Sequence, residues 1–186
     1  LPEGVFSLLI GAGREIGEAL VAHPVIKAVG FTGSRQGGLA LVKIANARPE
    51  PIPVYAEMSS INPVFLLPKA LGNRAAKLGS DFVDSLTMGS GQFCTNPGLV
   101  IALKGATLDT FVRSATETLA KKAAATMLTP GIFQAYETGV GKLSAQSGVT
   151  ALGHGLAGNA DSCASQAALF KTNAKTFLSC KALEDE

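Results

Sequence analysis

A cysteine between glycines is the residue of this sequence best placed for covalent chemistry. Cys94 lies in residues 91–98 (GQFCTNPG), with no second cysteine close enough in sequence for a local disulfide or metal pair. Glycines allow unusual backbone angles and the close approach of a ligand, so we expect this thiol to be presented. Glu57 ends a short apolar run, and a thiol with a carboxylate that activates water could perform two-step acyl transfer. A small buried Cys94 is the alternative.

The first glycine-rich turn could hold a phosphate. Residues 5–10 (VFSLLI) are an apolar run typical of a buried strand, and residues 11–17 (GAGREIG) lead from it into a helix. Amides at the start of a helix can bind phosphate, which makes Gly13 and Gly17 candidates for cofactor binding. The glycine spacing differs from the dinucleotide fingerprint, so a plain tight turn fits equally well.

A second turn offers a clearer candidate. Residues 25–31 predict a strand that leads to Gly33 and Ser34, and Ser34 suits the N-cap position of the next helix. Its hydroxyl could also hold a phosphate. Strands that alternate with helices over short connections predict an α/β fold with parallel, doubly wound sheets, which bind ligands at the carboxyl ends of the strands. Ser34, Glu57 and the first turn all fall at such ends.

The remaining chain predicts further strands and helices. The predicted segments are strands at residues 62–67 and 99–103, helices at residues 75–88 and 132–143, a helix capped by Asp109, and a glycine-rich loop at residues 153–158. His23 and His154 have no acid partner in their motifs and are predicted to be loop histidines.

Three motifs together resemble the aldehyde dehydrogenase superfamily. They are residues 31–34 (FTGS), residues 56–63 (AEMSSINP) and the cysteine motif, in this order along the chain. Their variants are similar to the branch that oxidises α-ketoglutaric semialdehyde (2,5-dioxopentanoate). Ser59 and Ser60 stand where most relatives have two glycines, a change that this branch tolerates.

The resemblance implies a role for each motif. Cys94 would add to an aldehyde and form a thioester, which a water activated by Glu57 would hydrolyse to the carboxylate. Ser34 and Gly33 would contact the pyrophosphate of NADP or NAD. The resemblance also implies a homo-oligomer and no metal ion.

The resemblance further implies an aldehyde-dehydrogenase-like fold that is incomplete at both ends. Residues 1–57 would be the C-terminal part of the NAD(P)-binding domain, and residues 58–186 most of the catalytic domain. In the family, a side-chain amide of the oxyanion hole, the strand that selects NAD or NADP, and a glutamate for the nicotinamide ribose lie outside this sequence. We therefore expect an internal segment of a longer chain, inactive alone.

Composition argues against several other classes of protein. Hydrophobic residues make up 47% and charged residues 16%, which is typical of a globular chain. The net charge of +2 without a basic stripe argues against nucleic-acid binding, and no apolar run approaches the roughly 20 residues of a membrane helix. Three cysteines and no signal-like start predict a cytoplasmic protein.

Three alternatives remain open at this point. The substrate could be a long-chain fatty aldehyde, since no substrate contact is identifiable from spacing. A coenzyme A-acylating aldehyde dehydrogenase would share the cysteine, but that branch usually lacks the glutamate found at position 57. A non-catalytic assembly module would contain Cys94 as an unreactive residue.

Overall fold

The computed structural model describes residues 2–11 and 13–183. The chain divides into two compact units, of which the first ends at Ser59 and the second begins at Ser60. The boundary inferred from the resemblance, after Glu57, lies two residues earlier. Each unit has its own cluster of buried apolar side chains.

The first unit is built on a parallel pair of strands. Strands β1 (Val29–Gly33) and β2 (Val54–Met58) pair in parallel, and helix α2 (Arg35–Asn46) connects them after a short helix α1 (Glu15–Ala22). Parallel strands need such a crossover, because the chain must return to the same end of the sheet before the second strand. The buried core of this unit consists of Val21, Ala45 and Ile52.

The prediction of a strand at residues 5–10 is wrong. This segment forms no strand with any described residue, and its apolar side chains are exposed, with Phe6 at 78% and Ile10 at 86%. An apolar run supplies the burial pattern of a strand but not the neighbour with which its backbone must pair. Strand β1 also begins at Val29, later than predicted, because the N–H of Ile26 donates to the carbonyl of His23 in a turn.

The second unit contains the larger core and more elements. They are β3 (Val64–Leu66), α3 (Pro68–Thr87), β4 (Val100–Ala102), α4 (Ala106–Leu119), β5 (Ala125–Thr126), α5 (Pro130–Ala145), β6 (Thr150–His154), β7 (Ala164–Ser165), β8 (Ala168–Lys171) and α6 (Ala174–Ser179). Strands β3 and β4 pair in parallel, whereas β5 pairs with β7 and β6 with β8 in antiparallel fashion.

The predicted α/β fold with parallel pairing is confirmed for β1–β2 and β3–β4. The two antiparallel pairs were not predicted, because residues 153–158 suggested only a glycine-rich loop. In the structure β6 runs to His154, so this histidine ends a strand, edge-on to the Phe170 ring at a centroid distance of 6.3 Å.

Helix boundaries differ from the predicted ones where capping signals compete. Helix α3 begins at Pro68 rather than residue 75, since proline suits the first helical turn. Helix α4 begins at Ala106, so Asp109 lies in its first turn and is not the N-cap; its N–H donates to the carbonyl of Gly105. A carboxylate there still favours the helix through the dipole. Among the described residues, no helix has the length and apolar content to cross a membrane.

Candidate functional site

The predicted site residues belong to both units. Cys94 lies in the second unit, and Glu57, Ser34, Gly33 and the two glycines of the first turn lie in the first unit. Cys94 is exposed and its thiol is free, as are the thiols of Cys163 and Cys180. The expectation of a presented thiol is therefore confirmed, and the alternative of a buried one is wrong.

A sharp turn after helix α3 carries the chain to Cys94. Residues Gly89, Ser90 and Gly91 have φ angles of +56°, +58° and +71°, in the left-handed region that glycine adopts without strain. Ser90 adopts it at a cost, and its hydroxyl donates to the carbonyl of Thr126 at 2.9 Å. The glycines on either side of Ser90 thus serve a backbone reversal rather than an open loop.

Backbone and side-chain hydrogen bonds hold residues 91–98, which we call the cysteine loop. The N–H of Asn96 donates to the carbonyl of Phe93 at 3.0 Å, closing a turn around Cys94. The Asn96 carboxamide donates to the carbonyl of Leu86 at 2.8 Å, which ties this turn to the last part of α3. The thiol is therefore exposed on a backbone whose shape is fixed.

Two side chains that sequence reasoning did not assign also hold this loop. The hydroxyl of Ser60 donates to the carbonyl of Cys94 at 2.5 Å. The carboxamide of Asn62 donates to the carbonyls of Cys94 at 2.7 Å and Asn96 at 3.0 Å. A signal was present in the sequence, because Ser60 replaces a glycine of most relatives and Asn62 belongs to the same motif.

Glu57 lies at the carboxyl end of the parallel pair. It is in register with Thr32, and the next pair along is Gly33 with Met58. Side chains alternate along a strand, and Met58 packs over Gly38 of helix α2. Glu57 therefore faces away from α2 and is exposed. Its carboxylate is therefore open to solvent.

The N-terminus of α2 presents two serine hydroxyls. The prediction that Ser34 is the N-cap is confirmed, since its hydroxyl accepts a hydrogen bond from the N–H of Gly37 at 3.1 Å. The hydroxyl of Ser59 accepts from the N–H of Arg35 at 3.3 Å. Each hydroxyl has one proton to donate. With the positive end of the helix dipole, this donor set fits an anionic group.

The first glycine turn fits a phosphate less well. Helix α1 begins at Glu15, so Gly17 lies inside the helix and not in the turn. The Glu15 carboxylate folds over Gly13, where it would repel a phosphate. With no strand at residues 5–10, the turn also does not lie at the carboxyl end of a strand. The cofactor roles of Gly13 and Gly17 stay predictions.

A cavity in the second unit does not include Cys94 in its walls. It has a volume of about 410 Å³ and mostly apolar walls that include strands β4 and β8. Tyr136 lines it and donates to the carbonyl of Gln166 at 2.9 Å. Burial, followed by the neighbouring Glu137 carboxylate, raises the pKa of Tyr136 above 10.0. Among the described residues, no group of three or more metal-ligating side chains could hold a metal ion.

The second unit thus presents an exposed thiol, and the first unit presents an exposed carboxylate at the carboxyl end of a parallel strand. The chain belongs to the aldehyde dehydrogenase family, whose family model matches residues 1–145. The family predicted from the three motifs is therefore confirmed.

Individual proteins similar to this chain carry related names. The chain is 59% identical over its whole length to alpha-ketoglutaric semialdehyde dehydrogenase 2 of Azospirillum brasilense, covering 35% of that protein. It is 41% identical over 96% of its length to alpha-ketoglutaric semialdehyde dehydrogenase of Acinetobacter baylyi, covering 34% of that protein. The chain thus spans about a third of the length of these curated relatives.

A solved structure supports the fold. The NAD-dependent benzaldehyde dehydrogenase of Corynebacterium glutamicum matches 91% of this chain with a TM-score of 0.74 at 22% identity, and the match covers 37% of that chain. The aldehyde-dehydrogenase-like fold predicted from the resemblance is therefore confirmed.

Proposed function

We propose that the protein carrying this chain oxidises an aldehyde to a carboxylate, with Cys94 as the nucleophile, Glu57 as the base and NAD or NADP as the cofactor. We further propose 2,5-dioxopentanoate, α-ketoglutaric semialdehyde, as the substrate. The observation that carries the proposal is the 59% identity over the whole chain to a protein named for this substrate.

Cys94 begins the reaction in this proposal. An ordinary thiol is mostly protonated at neutral pH, so its proton must leave before or during the attack. The thiolate sulfur then bonds to the aldehyde carbon, and the carbonyl oxygen becomes an oxyanion. The backbone N–H of Cys94 can donate to that oxyanion, and a preorganised donor of this kind stabilises the transition state.

The cofactor fits the residues at the start of helix α2. The hydroxyls of Ser34 and Ser59 supply hydrogen-bond donors for a pyrophosphate, and the N-terminus of the helix favours its negative charge. When bound, NAD or NADP supplies the hydride acceptor for the oxidation. Gly33, directly before the cap, keeps the strand end free of a side chain.

Glu57 completes the reaction in this proposal. Its carboxylate takes a proton from water while the water oxygen bonds to the acyl carbon of the Cys94 thioester. The carbon–sulfur bond then breaks, which releases the carboxylate product and restores the thiol. This role distinguishes the proposal from transfer of the acyl group to coenzyme A, which needs no water-activating base.

The test uses the natural polypeptide that carries this sequence. NADH and NADPH formation are followed with 2,5-dioxopentanoate and with a long-chain aldehyde, in the wild type and in three variants. Cys94→Ala is expected to lower turnover by about 10³-fold or more. Glu57→Gln is expected to form NADH or NADPH in a first burst and then to stall as the acyl-enzyme. Its steady-state turnover should be lowered about 10²–10⁴-fold.

Cys180→Ala is the matched control, since Cys180 is a free cysteine outside the motifs and its loss should leave turnover unchanged. Preference for the long-chain aldehyde would contradict the proposed substrate. Acyl transfer to added coenzyme A instead of water would contradict the proposed role of Glu57. No activity on either aldehyde, with Cys94 alkylated no faster than Cys180, would favour a non-catalytic assembly module.

The proposal includes a cytoplasmic homo-oligomer. Free thiols at all three cysteines are in keeping with a reducing compartment. Light scattering of the purified polypeptide measures its mass in solution, and a monomer at micromolar concentration would contradict the oligomer.

A further inference from the structure

We propose that Asn62 is a positioning residue for Cys94, an inference that rests on the proposed function because it takes Cys94 as the reacting group. The Asn62 carboxamide donates to the carbonyls of Cys94 and Asn96, two contacts that we call the Asn62 bridge. Both N–H protons of the amide are used in this way. The opposite orientation of the amide would place its oxygen against two carbonyl oxygens, so the partners determine which atom faces the loop.

The Asn62 bridge helps to fix the backbone that carries the Cys94 side chain. The direction of the Cα–Cβ bond of Cys94 depends on the two peptide planes that flank it. The plane before Cys94 is held by the hydrogen bond from Asn96 to the Phe93 carbonyl. The plane after it is held by Asn62 and Ser60, which both donate to the Cys94 carbonyl. With both planes held, the Cα–Cβ bond that carries the sulfur keeps one direction relative to the N–H of Cys94.

This relation matters because acylation needs sulfur and N–H together. The sulfur must approach the carbonyl carbon while the N–H meets the developing oxyanion, and small misplacements of reacting groups can cost about 10²-fold in rate. Alkylation of the same sulfur develops no oxyanion. Loss of the Asn62 bridge should therefore slow acylation of Cys94 far more than its alkylation.

The backbone at Asn62 shows that the residue is placed for this contact. Its φ angle is +42°, in the left-handed region that asparagine adopts more readily than other non-glycine residues. Residues on both sides are joined to the end of the cysteine loop or to the residue after it, since Gly98 donates to the Ile61 carbonyl and Val64 to the Leu99 carbonyl. Strained angles at such positions persist where surrounding structure determines them.

The experiment compares acylation and alkylation of Cys94 in the natural polypeptide. The acylating probe is p-nitrophenyl acetate: a sulfur–carbon bond forms, the ester carbon–oxygen bond breaks, and p-nitrophenolate leaves as the observed product. The alkylating probe is iodoacetamide, and mass spectrometry of the Cys94 peptide follows its reaction. Asn62→Gly keeps the backbone angle without the carboxamide, and Asn62→Asp keeps the shape without the two donors.

We expect Asn62→Gly and Asn62→Asp to slow acylation about tenfold or more, with alkylation changed less than about threefold. Ser60→Gly, which removes one of the two side-chain donors to the Cys94 carbonyl, should slow acylation by a smaller factor. Asn173→Gly is the matched control, because Asn173 caps helix α6 with its side chain and does not contact the loop.

Unchanged acylation in Asn62→Gly would overturn the inference. Equal slowing with both probes would also overturn it, since a general loss of loop order does not distinguish the two reactions. If Asn62→Gly does not fold, Asn62→Asp and Ser60→Gly decide by the same criterion. Unchanged acylation in Asn62→Gly, with aldehyde oxidation still abolished by Cys94→Ala, overturns the inference alone. Acylation and aldehyde oxidation that both survive Cys94→Ala overturn the proposed function as well.

Discussion

Gly79 of helix α3 lies directly against the backbone of Phe111 on helix α4. A Cβ atom added to Gly79 would be 2.5 Å from the Phe111 carbonyl oxygen and 3.0 Å from the Ala115 nitrogen. At the same crossing, the Ser114 hydroxyl donates to the Ala76 carbonyl at 2.6 Å. The two helices therefore approach closely enough to exclude any side chain at position 79.

Gly79→Ala should destabilise the second unit. Overpacking costs about 1–3 kcal/mol, which exceeds the roughly 1 kcal/mol that alanine gains over glycine in a helix. Gly72→Ala is the matched control on the same helix, because nothing lies within 4 Å of an added Cβ there, and it should stabilise the protein slightly. Urea denaturation measures both changes. Equal stabilisation by the two variants would show that the helices can separate without cost.

Truncation of Leu119 should cost more than any surface change. Its side chain is 0% exposed in the core formed by α3, α4 and strand β3. Leu119→Ala is expected to lower the free energy of unfolding by about 2–5 kcal/mol, through lost burial and the cavity left behind. Leu178, which is 79% exposed on α6, supplies the control, and Leu178→Ala should change stability by about 0.5 kcal/mol or less.

Tyr136 should give the protein a stability that declines in alkali. Burial raises its pKa above the ordinary 10.0, so the folded chain keeps the phenol proton to higher pH than the unfolded chain. The free energy of unfolding should therefore fall as the pH rises above about 10 through the raised value. The ultraviolet absorbance of ionised tyrosine against pH, together with urea denaturation, measures this.

Tyr136→Phe should remove part of that decline and cost about 0.5–1.5 kcal/mol at neutral pH, because the hydrogen bond to Gln166 is lost. Tyr55→Phe is the control, since Tyr55 is the other of the two tyrosines and is 72% exposed. The same alkaline decline in wild type and Tyr136→Phe would assign it to other groups.

Ser34→Ala should affect both stability and cofactor binding. Loss of the cap costs about 0.5–2 kcal/mol, and loss of a hydrogen bond to a charged pyrophosphate should raise the KM for NAD or NADP about tenfold. Thr129→Ala removes an equivalent cap from α5, where the hydroxyl accepts from the N–H of Ile132 at 3.2 Å. This control should lose the same stability without a change in KM. If Ser34→Ala left the KM for the cofactor unchanged, Ser34 would act only as a helix cap and not in cofactor binding.

Local signals in the sequence predicted much of the fold. Ser34 as a cap and the parallel pairing of β1 with β2 follow from short-range rules on hydroxyls and crossovers. The helix predicted at residues 132–143 is also present, although it runs from Pro130 to Ala145. The predictions that failed concern the pairing of strands and the ends of helices. Residues 5–10 have the composition of a strand without a partner among the described residues, and Asp109 lost the cap position to a residue four places earlier.

The sequence by itself determined the family and the candidate nucleophile, because each of the three motifs is contiguous in the chain and can be read without knowledge of its neighbours in space. The tertiary structure alone decided what holds Cys94 in place. Ser60 and Asn62 are 34 and 32 residues from the carbonyl that they contact, and Leu86 is ten residues from Asn96. Contacts over such distances depend on how β3, α3 and the cysteine loop pack, which no local pattern of residues specifies.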